Sequence, residues 1–167
     1  YSVSNAGDVN GDGFDDVIIG APYTDFGGNR SGSSYVVFGK ASSFNATLDL
    51  ASLDGNNGFR LDGLPEFDSS GRSVSDAGDV NGDGFDDLIV GAWGTDYVVF
   101  GKASNFDAAM NLSNLDGNNG FKLDGFINSS NAGDVNGDGF DDLIVGNPSA
   151  DFNGNASGSS YVVFGSA

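Results

Sequence analysis

The chain has no cysteine and no histidine. There is therefore no thiolate, zinc-finger or imidazole chemistry, no Ser-His-Asp triad, and no disulfide to staple a fold. Glutamate occurs once against 23 aspartates in 167 residues. Glu suits helices and Asp suits turns and caps, so this imbalance speaks against a helical protein. Basic residues number 6 and the formal charge is −18, a charge that repels phosphate backbones and excludes nucleic acid as a partner. No apolar run approaches the roughly 18 residues of a membrane-spanning helix, so no membrane insertion is expected. Nor is there a charged-then-apolar leader. The start at Tyr1-Ser2-Val3 reads as a mature segment or a cut-out domain.

What is present is apolar enough to fold. Leu, Ile, Val and Phe supply 43 residues, above the share typical of acidic disordered chains. Gly is abundant at 28 while Pro is scarce at 3, which points to tight turns and not to a Pro-rich linker.

The sequence repeats itself. Asn5-Ala6-Gly7-Asp8-Val9-Asn10-Gly11-Asp12-Gly13-Phe14-Asp15-Asp16 returns with one change at 76–87 and unchanged at 131–142. Each copy runs into a short apolar stretch, Val17-Ile18-Ile19-Gly20, Leu88-Ile89-Val90-Gly91 or Leu143-Ile144-Val145-Gly146. Each is followed by Tyr-Val-Val-Phe-Gly, beginning at Tyr35, Tyr97 and Tyr161. Leu-Asp-Gly-Asn-Asn-Gly-Phe occurs at Leu53 and again at Leu115. The spacing gives three units, divided at 1–61, 62–123 and 124–167, the last without a fourth strand. The short runs are β-branched or aromatic and bounded by Gly, Asn, Asp and Ser, so they read as strands. In the first unit these are Ser2–Asn5, Asp16–Ala21, Ser34–Gly39 and Gly58–Leu61, with Ser73–Ser75 opening the second. Only 42–53 and 104–115 suggest a helical turn. Four short antiparallel strands per repeat predict an all-β fold of β-propeller blades, three in this chain, in preference to a β-solenoid, whose coils repeat over fewer residues.

The Asp-rich segment places oxygen side chains at positions 1, 3, 5 and 9, with Gly at position 6. Calcium takes about 6–8 hard oxygen ligands in a flexible cage, and a Gly lets the chain turn around the ion. The predicted ligands are Asp8, Asn10, Asp12 and Asp16 through side chains and Phe14 through its carbonyl. The second copy gives Asp79, Asn81, Asp83, Phe85 and Asp87, and the third Asp134, Asn136, Asp138, Phe140 and Asp142. The pattern is not an EF-hand, because position 12 is Ile19, Val90 or Val145 where that loop needs Glu, and the segment enters a strand, not a helix. The plain alternative is an Asp-Gly and Asn-Gly turn cluster with no ion. Against it, the three loops concentrate twelve of the 24 acids, and like charges so close raise pKa values or force a loop open unless a cation is present. Three calcium ions, one per repeat, would bring the charge from −18 to −12.

Gly-Asp-Val-Asn-Gly-Asp-Gly-Phe-Asp-Asp-Val-Ile-Ile-Gly-Ala-Pro at 7–22, followed by Tyr-Val-Val-Phe-Gly at 35–39, resembles the FG-GAP repeat, which builds the β-propeller of integrin α-subunit ectodomains and of many bacterial secreted and surface proteins. The resemblance implies one blade per repeat and a bracing, non-catalytic calcium ion between strands one and two. It also implies an extracellular or cell-surface setting and a protein or glycan ligand on the propeller surface. The sequence departs from the pattern in Trp93 and in Asn147-Pro148, where the family has Ala-Pro. Two steps are short, between Gly91 and Tyr97 and between Leu123 and Asp134. They suggest residues missing near Trp93–Asp96 and Phe126–Ser130, and no counterpart of the Gly71-Arg72-Ser73-Val74-Ser75 strand precedes the third loop. Three blades are fewer than a closed ring needs, so the expectation is further blades of a longer parent or closure by a second copy.

The recurring Phe residues read as packing. Trp93 is a candidate contact residue. Asn29, Asn45, Asn111, Asn128 and Asn155 begin Asn-x-Ser/Thr triplets. The hairpins carrying Tyr23-Thr24-Asp25 and Ser149-Ala150-Asp151 are where a partner would bind. No isolated carboxylate in an apolar setting suggests catalysis, so no enzyme activity is expected. The competing functional readings are a self-assembling surface protein, forming a ring or fibre, and a non-catalytic module of a larger secreted enzyme.

Overall fold

The computed structural model describes residues 1–64, 66–103, 106–151, 154 and 157–167. The strands come where β-branched runs meet Gly- and Asp-rich turns. The first sheet contains β1 (Ser2–Gly7), β2 (Asp16–Ala21), β3 (Ser33–Val37) and β4 (Gly58–Asp62), each antiparallel to the one before. The second contains β5 (Ser73–Gly78), β6 (Asp87–Gly91) and β7 (Thr95–Val99). The chain then leaves it as β8 (Ala109–Asn111) and returns as β9 (Gly120–Asp124), antiparallel to β7. The third contains β10 (Ile127–Gly133), β11 (Asp142–Asn147) and β12 (Ser159–Val163). The strand β8 adds to the first sheet, parallel to β4, with Arg60 facing Ala109 and Leu61 facing Met110.

The sheets stack through their first strands. β1 lies against β5 and β5 against β10. The Val74 amide donates to Ser2 Oγ across the first contact at 3.3 Å. First strands gathered on one side, with later strands running outward, are the arrangement of propeller blades. The fold is thus all-β, a partial propeller of antiparallel sheets that do not close into a ring.

Burial follows from the stacking. Strand β6 is buried along its whole length, because sheets cover both of its faces. Its Leu88, Ile89 and Val90 join two cores. One core lies between the first and second sheets, with Ile18, Val36, Phe59, Leu61 and Leu88; the other lies between the second and third, with Ile89, Val98, Leu143 and Val145. Each such side chain contributes about 1.5–3 kcal/mol on full burial. The outer sheets keep one face open. Val36 is fully buried in β3, whereas the corresponding Val162 in β12 is 46% exposed.

One expectation fails here, and at the first short step the chain turns directly. The Ala92 amide donates to the Thr95 carbonyl at 2.9 Å, so Trp93 and Gly94 close a two-residue hairpin in register, with Gly91 facing Asp96. A strand also precedes the third loop, namely β10, although Ile127-Asn128-Ser129-Ser130 bears no likeness to Arg72-Ser73-Val74-Ser75. The buried Asp96 carboxylate holds it in place by accepting the Ser129 amide at 2.7 Å. The two segments suspected of helical turns each contain one turn of 3-10 helix, Leu50–Ser52 and Leu112–Asn114. Asp49 and Asn111 cap them by accepting the amides of Ala51 and Ser113. Ser104 and Asn105, at the start of the second segment, lie outside the described residues.

The excursion through β8 has a packing purpose. Phe106 stacks on Phe59 with ring centroids 4.5 Å apart and meets Phe38 edge-on at 5.4 Å. Its counterpart in the first unit, Phe44, is 50% exposed. Phe106→Ala should therefore cost about 3 kcal/mol in urea unfolding, the lower end for a buried Phe. Phe44→Ala should stay within about 0.5 kcal/mol of the parent.

Candidate metal centre

Each Asp-rich segment is the connection between the first and second strands of its sheet. Folding of the loop is driven by its own backbone amides, which need acceptors because the loop is too tight to pair with a strand. In the first loop the Asp12 amide is shared by Asp8 Oδ1 at 3.0 Å and Asn10 Oδ1 at 2.9 Å. The Gly13 amide donates to Asp8 Oδ2 and the Phe14 amide to Asp12 Oδ1. The second loop repeats this at Asp83, with Asp79 and Asn81 oxygens both at 3.0 Å. The third repeats it at Asp138, with Asp134 at 3.1 Å and Asn136 at 2.8 Å. The oxygens of positions 1 and 3 thus meet at one nitrogen in all three copies.

Position 9 behaves differently. Asp16, Asp87 and Asp142 are fully buried. Asp16 accepts the Gly39 amide at 2.8 Å through Oδ1 and the Val9 amide at 3.1 Å through Oδ2. Asp87 does the same with Gly101 and Val80, and Asp142 with Gly165 and Val135. These carboxylates pin the loop to the end of the third strand. Burial pushes the Asp16 carboxyl up to about 6, against the pull of the Gly39 and Val9 amides, with the Asp12 and Asp8 carboxylates adding to the rise. Burial likewise lifts Asp87 to about 7.

Among the described residues, no three acidic side chains converge as a ready metal cluster. The donor chemistry nonetheless fits a hard cation, since positions 1, 3 and 5 offer only oxygens. In the first two loops the oxygens of positions 1 and 3 that meet at one amide each keep a further lone pair, whereas Asp134 Oδ1 in the third also accepts the Gly137 amide at 2.6 Å.

The sequence reading missed position 8. The Asp8 amide donates to Asp86 Oδ2 of the next loop at 2.7 Å, and the Asp86 amide returns to the Asp8 carbonyl at 3.3 Å. Asp79 and Asp141 form the same reciprocal pair at 2.9 and 3.0 Å. The stitch needs a glycine. Gly7 and Gly78 both have φ +69°, and any Cβ there would strike the Asp86 or Asp141 carboxylate. Phe85 and Phe140 also lie against Gly11 and Gly82 of the preceding loop. Phe14, in the first loop, is 41% exposed. The signal available in the sequence was the repetition of Asp at position 8 in all three copies.

A second feature lies where hairpins of the second and third sheets approach. A cleft of about 440 Å3 is lined by Arg72, Trp93, Gly125, Ile127, Asn128 and Pro148 among others. Trp93 is 70% exposed, with the Arg72 guanidinium 4.4 Å from its ring centroid. Tyr23 is also exposed on the corresponding hairpin of the first sheet. Of the triplets, Asn155 lies outside the described residues.

Stacked antiparallel sheets with an acidic loop between their first two strands define a propeller-type repeat protein. Residues 1–37, 71–103 and 126–163 match the FG-GAP repeat, and the chain belongs to the FG-GAP repeat family. It is 39% identical over 93 residues to integrin alpha pat-2 of Caenorhabditis elegans, covering 56% of this chain and 7% of that protein. It is 36% identical over 102 residues to integrin alpha-V of Gallus gallus, covering 61% and 9%. It is 31% identical over 110 residues to integrin alpha-6 of the same species, covering 65% and 9%. The chain therefore spans less than a tenth of the length of these relatives. Among the described residues, no helix is long and apolar enough to cross a membrane.

Removing the stitch should loosen the blades. Asp86→Ala and Asp141→Ala each leave a part-buried amide unpaired and should lose about 1–2 kcal/mol in urea unfolding. Asp15→Ala, at the same position in the first loop but exposed, should change stability by less than about 0.5 kcal/mol.

Proposed function

We propose that this chain is a calcium-braced propeller scaffold of three blades, 1–61, 62–123 and 124–167, serving adhesion or ligand binding outside the cell. The observation that carries the calcium reading is the meeting of position-1 and position-3 oxygens at one amide in all three loops. The residues that would hold the ion are Asp8, Asn10, Asp12, Asp16 and the Phe14 carbonyl. The corresponding sets are Asp79, Asn81, Asp83, Phe85 and Asp87, and Asp134, Asn136, Asp138, Phe140 and Asp142. A divalent cation would offset the mutual repulsion of the neighbouring carboxylates at positions 1 and 5 and lock the loop between strands one and two. Sites of this kind fill at about 10⁻⁴–10⁻³ M calcium, as extracellular modules do. The integrin relatives support the extracellular setting. The cleft beside Trp93 and Arg72 is the surface offered to a protein or glycan ligand, because it combines an exposed ring, a cation and polar hairpin groups. The role is non-enzymatic.

A second reading, assembly of copies into a ring or fibre, is favoured by one observation. Among the described residues, β9 and β12 are edge strands with no further partner, and open edges invite pairing.

Thermal unfolding in millimolar calcium and in excess chelator tests the calcium reading. Binding to the folded state alone should raise the melting temperature by several degrees and make it depend on calcium concentration. Identical curves in the two conditions would leave three hydrogen-bonded Asp-Gly turns and no metal role.

A further inference from the structure

At the hairpin end, the first two units meet through a pair of long connections. Residues 22–32 link β2 to β3, and residues 63–72 link β4 to β5. The two connections run side by side. The amides of Phe67, Ser69 and Ser70 donate to the carbonyls of Asn29, Arg30 and Ser31 at 2.9, 3.0 and 2.9 Å. Glycines allow the close approach: a Cβ at Gly27 would strike the Gly63 carbonyl, and one at Gly32 would strike Ser70.

The next junction lacks both members of this pair. Residues 92–94 alone link β6 to β7, and 125–126 alone link β9 to β10. The Gly125 amide donates to the Gly94 carbonyl at 2.9 Å and ties the two short turns together. Nothing stands within 4 Å of a Cβ placed at Gly94 or Gly125. The cleft of about 440 Å3 occupies the space so opened, with both glycines in its lining. Its walls belong to the second and third sheets, both present in the chain.

The cleft is electrostatically set apart. The chain carries 24 acids against 6 basic residues, yet among the described residues the lining contains no acid and one cation, Arg72. The neighbouring carboxylates are engaged elsewhere. Asp68 accepts the Tyr97 hydroxyl at 3.2 Å, Asp96 accepts the Ser129 amide at 2.7 Å, and Asp124 pairs with Lys122 at 2.9 Å. Arg72 lies over the exposed Trp93 ring and, among the described residues, has no carboxylate partner. The acidic loop of the second unit lies at the other end of β6, about 15 Å away by strand length. Charges are screened over about 8 Å at physiological salt, so the loop does not cancel Arg72.

We propose that this cleft binds a saccharide that bears a carboxylate, a uronic acid. The inference rests on the ligand-binding reading above and names the chemistry of the ligand. The exposed Trp93 ring gives the apolar face of a sugar a flat platform. The planar Arg72 fork takes a carboxylate through two parallel N–H···O bonds. Ser73 and Asn128 supply a hydroxyl and an amide for sugar hydroxyls, in a cleft of ordinary small-ligand size. An extended acidic peptide is the poorer fit, because such a peptide is held by main-chain hydrogen bonds. The amides of Ala92, Trp93 and Gly125 already donate to the carbonyls of Thr95, Asp68 and Gly94.

Trp93 is the single tryptophan of the chain, so its emission reports on the cleft directly. Trisaccharides of galacturonic, glucuronic and mannuronic acid, their methyl esters, and tetra-aspartate are titrated at fixed calcium and followed by Trp93 emission and calorimetry. At least one uronate should bind saturably, and its methyl ester should bind about tenfold more weakly or worse. Arg72→Gln should remove that difference without lowering the melting temperature, and Arg72→Lys, which keeps the charge and loses the fork, should fall between. An ester that binds as well as its acid would overturn the inference, since Arg72 would then read no carboxylate. Binding of tetra-aspartate in place of every uronate would overturn the saccharide and leave the cleft a ligand surface. Silence toward every probe in both readouts would overturn the inference and the ligand-binding role of the cleft together.

Discussion

The structure depends on how a tight, strongly acidic loop satisfies its backbone amides without a neighbouring strand. It does so with its own carboxylates and with one from the next loop. Position 1 takes the amides of positions 5 and 6. Position 9 reaches back to position 2 and across to the second residue after the third strand. Position 8 leaves the loop and closes a reciprocal pair with position 1 of the preceding one. The Asp8–Asp86 and Asp79–Asp141 pairs therefore fix the spacing of the sheets at one end, while Leu88, Val90, Val98 and Val145 fill the space between them. The glycines at positions 7 and 78 follow from the same need, since a side chain there would expel the carboxylate.

This division of labour accounts for the composition. A helical protein would have used Glu; a chain that must wrap amides two to five residues away uses Asp and Asn, whose short side chains fold back on the backbone. The cost is charge. Position 5 stays exposed beside a position 1 that is half-buried in Asp8 and Asp79, while position 9 is buried with its carboxyl raised toward neutral pH in Asp16 and Asp87. The amides moderate this repulsion without cancelling it, and calcium is proposed to supply the remainder.

The strands were legible in the sequence because each is a β-branched run between Gly and Asp, and the loops because three near-identical copies leave little to chance. What escaped the reading depended on neighbours distant in sequence. Position 8 looks like one more acid until the next loop is beside it. Strand β8 was hidden in a suspected helical turn, because its partner β4 belongs to another repeat unit. Strand β10 was missed because Ile127-Asn128-Ser129-Ser130 is polar and is held by the buried Asp96, a contact that no local pattern encodes. Length alone makes the step at Trp93-Gly94 look short, whereas a two-residue turn joins the same pair of strands in register. For the candidate ligands, the sequence located the loop and the structure divided it, with positions 1 and 3 converging and position 9 committed to amides.

Hydrogen exchange of individual amides tests the central claim most directly. If the reciprocal pairs join the blades, the amides of Asp8, Asp79, Asp86 and Asp141 exchange as slowly as those of the core strand β6, although they lie in loops, because they open only when the sheets separate. Exchange of these four amides at the rate of the exposed Asp15 amide would contradict the account, leaving the sheets held by their apolar cores alone.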